Sequence, residues 1–242
     1  MTGSQTWIRK ASRRALSGLA LMALAGAAMA ASPPDFTGVW QAIDPPLALR
    51  TVDGQEPPLL PAAKKTYEQR KAQLARGDRS FDPTYTRCAP PGEPRIMTED
   101  MPFDIFQTSK ALLFGYQWNR LVRQIDLNQS PDVVSPFYFG TSVGHFDGGK
   151  LVVDAEGFND RFFLDRSGMP HSDDMKLLET FSLLKGGQEM QVRIRVEDPK
   201  TFSRSWDTVL RFRKLPGARI AEDICTIRRG LIPASLKFYD PK

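Results

Sequence analysis

Residues 189–197 alternate strictly between apolar and polar side chains, and this pattern constrains the fold most strongly. Met190, Val192, Ile194 and Val196 fall on one side of an extended chain, and the residues between them are polar or charged. Because successive side chains of a β-strand point to opposite faces, the segment predicts a strand with one buried and one solvated face. Such alternation is typical of antiparallel sheets.

Similar short segments follow one another from Phe103 onward. Asp147-Gly148-Gly149 and Gly186-Gly187 each separate two of them, and such glycines supply the positive φ that tight hairpins need. The predicted strands are 36–40, 103–107, 111–118, 120–127, 138–146, 151–156, 176–184, 189–197, 204–213 and 220–226. This spacing predicts an all-β fold, an antiparallel barrel of about 8–10 strands.

Residues 31–102 are rich in proline, and we expect them to wrap around the barrel as part of one domain spanning 31–242. A helix is predicted at 61–76, because Pro61 suits a helix start and Gly77 suits its end. Its weakly apolar face indicates a surface helix lying over a loop. Residues 78–102 are expected to be irregular.

Residues 1–30 have the organisation of an export signal. Basic residues around Arg13-Arg14 precede an apolar run from Leu19 to Met29 and a stretch of small residues. The paired arginines favour the twin-arginine route, and the general secretory route also fits. The run is shorter than the ~20 apolar residues of a spanning helix. We therefore expect a periplasmic or secreted protein with no membrane span after cleavage.

The charge balance argues against nucleic acid as a partner. The chain has 33 Lys and Arg against 28 Asp and Glu, but Arg9, Lys10, Arg13 and Arg14 lie in the predicted signal. The rest of the chain has a net charge of only +1. Phosphate backbones are bound by clusters of uncompensated cations, which this balance does not favour.

Cys88 and Cys225 are the two cysteines of the chain. In an oxidising compartment two thiols most simply form a disulfide, which we expect here. A catalytic thiol is the alternative.

Two sets of residues resemble known proteins. Gly38-Val39-Trp40 is similar to the Gly-x-Trp signature of lipocalin-like (calycin) barrels, in which the tryptophan closes one end. A longer block resembles a family of exported bacterial proteins, many from aromatic-degrading proteobacteria and most without an assigned function. For some members the resemblance implies a cofactor-free lyase activity on lignin-derived diaryl compounds. The block comprises 142–154, 157–160, 164–165 and 168–173, with Cys88 and its Pro-Pro-Gly and Cys225.

The two histidines, His145 and His171, both lie in this block. Histidine is the side chain best suited to exchange protons near neutral pH. His171 follows Pro170 in a predicted loop, so we expect it to be the catalytic base or acid. His145 lies on a predicted strand beside apolar neighbours, which predicts either a substrate-binding residue or a hydrogen-bonded core histidine.

The loop from Phe158 to Asp174 mixes aromatic and charged residues, which suits a lid over a barrel mouth. Turn-capping is the alternative role for its acidic residues. We expect Asp160 and Asp165 to assist His171 in catalysis, and the catalytic Arg166 to stabilise developing negative charge. Phe158, Phe162 and Asp173 are expected to bind substrate.

Two charged residues interrupt apolar strand faces. Glu179 lies between Leu177 and Phe181, and Arg123 lies between Leu121 and Ile125. A buried ion must be paired, hydrogen-bonded or open to a solvated cavity. We expect Glu179 to take part in proton transfer, and Arg123 and Tyr116 to bind substrate and stabilise negative charge. A structural ion pair is the alternative.

The sequence contains no HExxH, EF-hand, G-x-S-x-G, dinucleotide-binding or P-loop motif. A metal held by His145-x-Asp147 or His171-x-Asp173 is an alternative, but we expect neither metal nor cofactor. The predicted function is a cofactor-independent lyase or isomerase that moves a proton on a small aromatic compound, for example with loss of formaldehyde. The alternative is a periplasmic carrier of an apolar or aromatic ligand.

Overall fold

Nine β-strands form a closed barrel in the part of the chain that the computed structural model describes, residues 32–129 and 136–231. Strands adjacent in sequence are adjacent in the barrel, and the first strand closes the ring by pairing with the last. The all-β barrel predicted from the sequence is therefore confirmed, whereas the predicted signal at 1–30 lies outside the described residues. The strands are β1 Gly38–Ala42, β2 Phe103–Gln107, β3 Ala111–Tyr116, β4 Val122–Leu127, β5 Thr141–Asp147, β6 Lys150–Glu156, β7 Lys176–Leu184, β8 Glu189–Glu197 and β9 Trp206–Lys214.

One pairing in the barrel, between β4 and β5, is parallel. Each antiparallel neighbour reverses the strand direction, and a closed ring must return to its starting direction. Nine strands therefore require an odd number of parallel pairs. The sequence predicted an antiparallel barrel throughout, and this pair corrects it. The change of direction occurs where Leu127 and Thr141 are joined by a connection longer than a hairpin turn.

Apolar side chains fill the interior of the barrel. Met190, Val192, Ile194 and Val196 are fully buried, as their alternation predicts. Aromatic rings occupy much of the remaining space: the centroids of Phe103 and Phe212 lie 5.3 Å apart, and those of Phe114 and Phe181 lie 5.6 Å apart. Burying one such ring contributes about 1.5–3 kcal/mol. Among the described residues, aromatic and aliphatic side chains therefore fill much of the barrel interior.

Three α-helices accompany the barrel among the described residues: α1 Pro61–Ala75, α2 Pro83–Arg87 and α3 Cys225–Arg228. Helix α1 lies where the sequence predicts it. Helix α2 was missed; the Asp82 side chain caps it by accepting from the Thr84 amide at 3.0 Å. Among the described residues, none of the helices is long and apolar enough to cross a membrane.

The predicted strand at 220–226 is wrong. The chain there is irregular before it enters α3. Its backbone amides bond to side chains rather than to a neighbouring strand: Ala221 donates to Gln117 Oε1 at 2.9 Å, and Cys225 donates to Asn119 Oδ1 at 3.1 Å. Side-chain amides thus replace the ladder that a strand would need.

A disulfide joins Cys88 to Cys225 across 137 residues, as the sequence predicts. It connects the chain after α2 to the start of α3, and both cysteines are buried. A cross-link of this span removes much conformational freedom from the unfolded chain, which corresponds to about 5 kcal/mol in the chain-entropy model.

We expect reduction to lower the melting temperature of the protein, because it releases that constraint on the unfolded state. Thermal unfolding followed by circular dichroism, with and without a thiol reductant, measures the effect. The matched control is the double variant Cys88→Ser/Cys225→Ser, which should melt at the lower temperature in both conditions. An equal melting temperature for the oxidised and reduced protein would contradict the prediction.

Candidate functional site

Arg123 on β4 and Glu179 on β7 form an ion pair inside the barrel. The inward faces of the two strands carry Arg123 beside Ile125, and Glu179 between Leu177 and Phe181. The guanidinium makes two parallel hydrogen bonds, from Nη1 to Oε1 at 3.1 Å and from Nη2 to Oε2. Both side chains are at most 1 % exposed. The two charges that interrupt apolar faces in the sequence are therefore partners.

Three further side chains complete this cluster, which we call the Arg123 cluster: Arg123, Glu179, Glu93, Tyr116 and Ser142. Ser142 Oγ on β5 accepts from Arg123 Nε at 3.1 Å and from Nη2 at 2.9 Å. Glu93, from the proline-rich segment before β2, places Oε1 3.4 Å from Arg123 Nη1. Tyr116 on β3 donates its hydroxyl to the same oxygen at 2.6 Å.

The Arg123 cluster contains two carboxyl groups but one cation. Burial, reinforced by the charge of Glu179 and opposed by Arg123, raises the pKa of Glu93 to about 7. Burial alone would lower the pKa of Arg123, but Glu179 and Glu93 hold it above its usual range. Burial and the neighbouring Glu93 raise the pKa of Tyr116 well above normal, so its phenol stays protonated. The exchangeable proton of the cluster therefore belongs to Glu93.

A cleft of about 480 Å³ opens on the outside of the barrel next to the cluster, and we call it the seam cleft. It forms because β4 and β5 pair over only three positions, from Ile125–Ser142 to Leu127–Gly144, so the first residues of β4 have no partner on that side. Arg123 and Ser142 line the cleft together with Pro90, Phe137, Tyr138 and Phe139. The Phe139 ring stacks on Tyr116 with centroids 6.0 Å apart.

His171 is buried against Phe162, and the loop that carries Glu93 also contacts this ring. Its ring lies 4.1 Å from the Phe162 centroid, and a Cβ on Gly92 would stand 2.2 Å from that same ring. Burial lowers the pKa of His171, so the ring is neutral at pH 7. Its Nδ1 lies 2.9 Å from the Ser172 carbonyl and must donate to it. Nε2 is then a buried lone pair without a partner among the described residues.

Asp165 connects the 158–174 loop to helix α1 rather than to His171. Its two oxygens accept from the Tyr67 hydroxyl at 2.8 Å, from the Leu49 and Met169 amides, and from the amide and hydroxyl of Ser167. All of its hydrogen-bonding capacity is used in this way. The residues from Phe162 to Asp165 are buried beneath their neighbours, so this part of the loop is packed structure rather than the open lid that the sequence predicted.

The other predicted site residues are dispersed. Arg166 bonds to Asp100 and to the Pro45 carbonyl, each at 3.0 Å. Asp173 is exposed and pairs with Lys200 at 3.0 Å. Asp160 is exposed, whereas Phe158 is buried and packs edge-on against Phe162.

His145 points to the outside of the barrel, so the prediction of a core histidine is wrong. On β5 the inward residues are Ser142 and Gly144, which places His145 on the exposed face. The sequence did not indicate which face of β5 is inward, because Gly144 occupies an inward position and has no side chain. A Cβ there would lie 2.9 Å from Ile125 and 3.1 Å from Leu151.

Of the predicted residues, the structure thus brings together Arg123, Glu179 and Tyr116, and separately His171, Phe162 and Phe158. Glu93 and Ser142 were missed, since neither interrupts an apolar strand pattern. Within the described residues, no three His, Cys, Asp or Glu side chains are grouped closely enough to hold a metal ion. No protein-family model matches the chain, and no curated protein matches it either.

We expect Arg123→Met to lower the free energy of unfolding by about 3–5 kcal/mol, because it leaves buried carboxylates without a counter-charge. Urea unfolding measures the change. The control is Arg195→Met, which removes an exposed guanidinium paired with Asp207 and should have a much smaller effect. An equal loss of unfolding free energy in the two variants would contradict the prediction that burial makes Arg123 more important for stability than an exposed arginine.

The raised pKa of Glu93 also predicts a pH dependence of stability. The folded protein holds this proton up to about pH 7, whereas the unfolded chain releases it near pH 4.5. The protonated carboxyl group therefore stabilises the folded state at low pH. This stabilisation is lost as the pH rises through 7. We expect the free energy of unfolding to fall by roughly 1–3 kcal/mol relative to Glu93→Gln over this range. Urea unfolding of both proteins at several pH values tests it. Parallel pH curves would contradict the assignment.

Proposed function

We propose that this protein is an exported enzyme that binds a small aromatic compound in the seam cleft and transfers a proton to or from it, as a lyase or isomerase. The observation that carries the proposal is Glu93. This carboxyl group has one oxygen without a partner among the described residues, lies directly behind residues that line the cleft, and has a pKa of about 7. A group with a pKa near the working pH can both give and accept a proton.

The neighbours of Glu93 have the roles that such chemistry needs. Tyr116 and Arg123 hold Oε1, which fixes the orientation of the carboxyl group and leaves Oε2 as the reacting atom. Glu179 fixes the guanidinium in turn. The aromatic side chains Phe137, Tyr138 and Phe139 offer flat apolar contacts to a substrate ring.

His171 is the second candidate for proton transfer, as the sequence predicts. Its Nε2 is a neutral acceptor for which the described part of the chain supplies no partner. Ser172, held by two hydrogen bonds of 2.7 Å to Asp198, orients the ring. Tyr138 lines the seam cleft and also packs on Phe162, with ring centroids 6.2 Å apart. Phe162 in turn contacts His171. Acid chemistry at Glu93 and base chemistry at His171 suit a reaction that needs both, such as loss of formaldehyde from a hydroxymethyl side chain.

Export is part of the proposal. The buried disulfide suits an oxidising compartment, and the first 30 residues have the composition of a signal peptide.

The test is incubation of purified protein with diaryl phenolic compounds bearing a hydroxymethyl group, with detection of formaldehyde and of the aromatic product. We expect Glu93→Gln to lower turnover at least about 100-fold, the usual contribution of a general acid or base. His145→Asn is the matched control, because this exposed histidine lies on the outer face of β5. Full turnover by Glu93→Gln would refute the role of Glu93, and loss in His171→Asn alone would move the chemistry to His171.

A carrier function is the second candidate, and the fully used hydrogen-bonding capacity of Arg123 favours it. The hydrogen bonds of Arg123 go to Ser142 and Glu179, as they would in a purely structural network. A carrier would bind the same aromatic compounds and return them unchanged, with equal affinity in wild type and Glu93→Gln.

A further inference from the structure

The guanidinium of Arg123 has no donor left for a ligand. Nε and Nη2 donate to Ser142, Nη1 and Nη2 donate to Glu179, and Nη1 also faces Glu93. An arginine next to an aromatic cleft would ordinarily predict an anionic ligand such as a carboxylate. Here the cation is already shared by two carboxyl groups, so a ligand carboxylate would meet no uncompensated positive charge.

Oε2 of Glu93 is a buried oxygen without a partner among the described residues, and Glu93 lies against Arg123, which lines the cleft. If both glutamates were ionised, the buried cluster would carry one uncompensated negative charge, which costs several kcal/mol. Retaining a proton on Glu93 makes the cluster neutral. Glu179 already spends both oxygens on Arg123 and Oε1 of Glu93 accepts from Tyr116, so the proton is placed on Oε2.

We propose that protonated Glu93 is the specificity-determining residue of the seam cleft, donating from Oε2 to the carbonyl or ether oxygen of a neutral aromatic ligand. The inference rests on the proposed site and names its ligand class. A neutral oxygen reaches a buried donor at a far lower desolvation cost than a carboxylate or an ammonium group. Glu93 is fully buried, so the ligand oxygen reaches it when Phe139, half-buried between the cleft and Tyr116, moves aside.

This recognition couples binding to the protonation of one group. The charged and titratable side chains that face Glu93 are Arg123 from β4, Glu179 from β7 and Tyr116 from β3. Arg123 and Tyr116 keep their protons throughout the neutral range, and Glu179 uses both of its oxygens to accept from Arg123. Loss of the Glu93 proton therefore removes the donor and adds a negative charge beside the ligand oxygen.

The experiment compares three ligands of one shape by titration calorimetry: 4-methoxyacetophenone, 4-methoxybenzoate and 4-methoxybenzylamine, which are neutral, anionic and cationic. We expect the ketone to bind most tightly at pH 6, and its affinity to fall about tenfold by pH 8 as one proton is lost. The variant Glu93→Gln presents an amide N–H in place of the acid proton, so it should bind the ketone equally at both pH values. Glu93→Leu should lose that binding, with thermal melting of both variants reporting their fold.

Tighter binding of the benzoate or the benzylamine, undetectable ketone binding, or ketone affinity independent of pH in the wild type would overturn the inference. So would loss of ketone binding in a folded Glu93→Gln variant. These results are distinct from failure of the proposed enzyme function, which is measured by turnover. A protein that binds the ketone as described but releases no product would keep the ligand class and lose the catalytic role.

Discussion

The ion pair between Arg123 and Glu179 is the interaction on which the rest of the site depends. Each charge needs the other inside the barrel, since leaving a buried ion unpaired costs several kcal/mol. The two parallel hydrogen bonds between them fix the plane of the guanidinium. That plane decides which donors are left for Ser142 and Glu93. The cation is therefore best understood as an organiser of the carboxyl groups around it rather than as a ligand-binding group.

The position of the site follows from the number of strands. A closed ring of nine strands must contain a parallel pair, and a parallel pair needs a longer connection than a hairpin. Here the pair is short, because β4 and β5 share only three positions. The barrel wall opens where that pairing stops, and Arg123 stands two residues before the first paired position, Ile125. The same topological requirement thus produces the seam and places the buried charges behind it.

Much of the fold could be predicted from the sequence because its signals are local. Alternation in β8 and glycine turns at 147–149 and 186–187 determine strands and hairpins without reference to the rest of the chain. The pairing of Arg123 with Glu179 was half visible, since each breaks an apolar pattern, but their contact depends on the closure of the barrel. His145 was misplaced because Gly144 has no side chain to mark the inward phase of β5. The strand expected at 220–226 failed because side-chain amides of Gln117 and Asn119, distant in sequence, bind its backbone.

Glu93 could not be predicted, and the reason shows how this fold builds a site. It lies in the proline-rich wrap, where no periodicity identifies a buried residue, and it reaches the barrel because contacts on both sides anchor that segment. The disulfide at Cys88 holds one side, and Arg95, bound to Asp82 at 2.7 Å and 3.0 Å, holds the other. The barrel strands supply Arg123 and Glu179, whose charges cancel. The proline-rich segment adds Glu93, the carboxyl group that makes the cluster titratable. Changes in the wrap can therefore alter the chemistry at the seam while the barrel stays the same, which is how loops on a rigid scaffold diversify function.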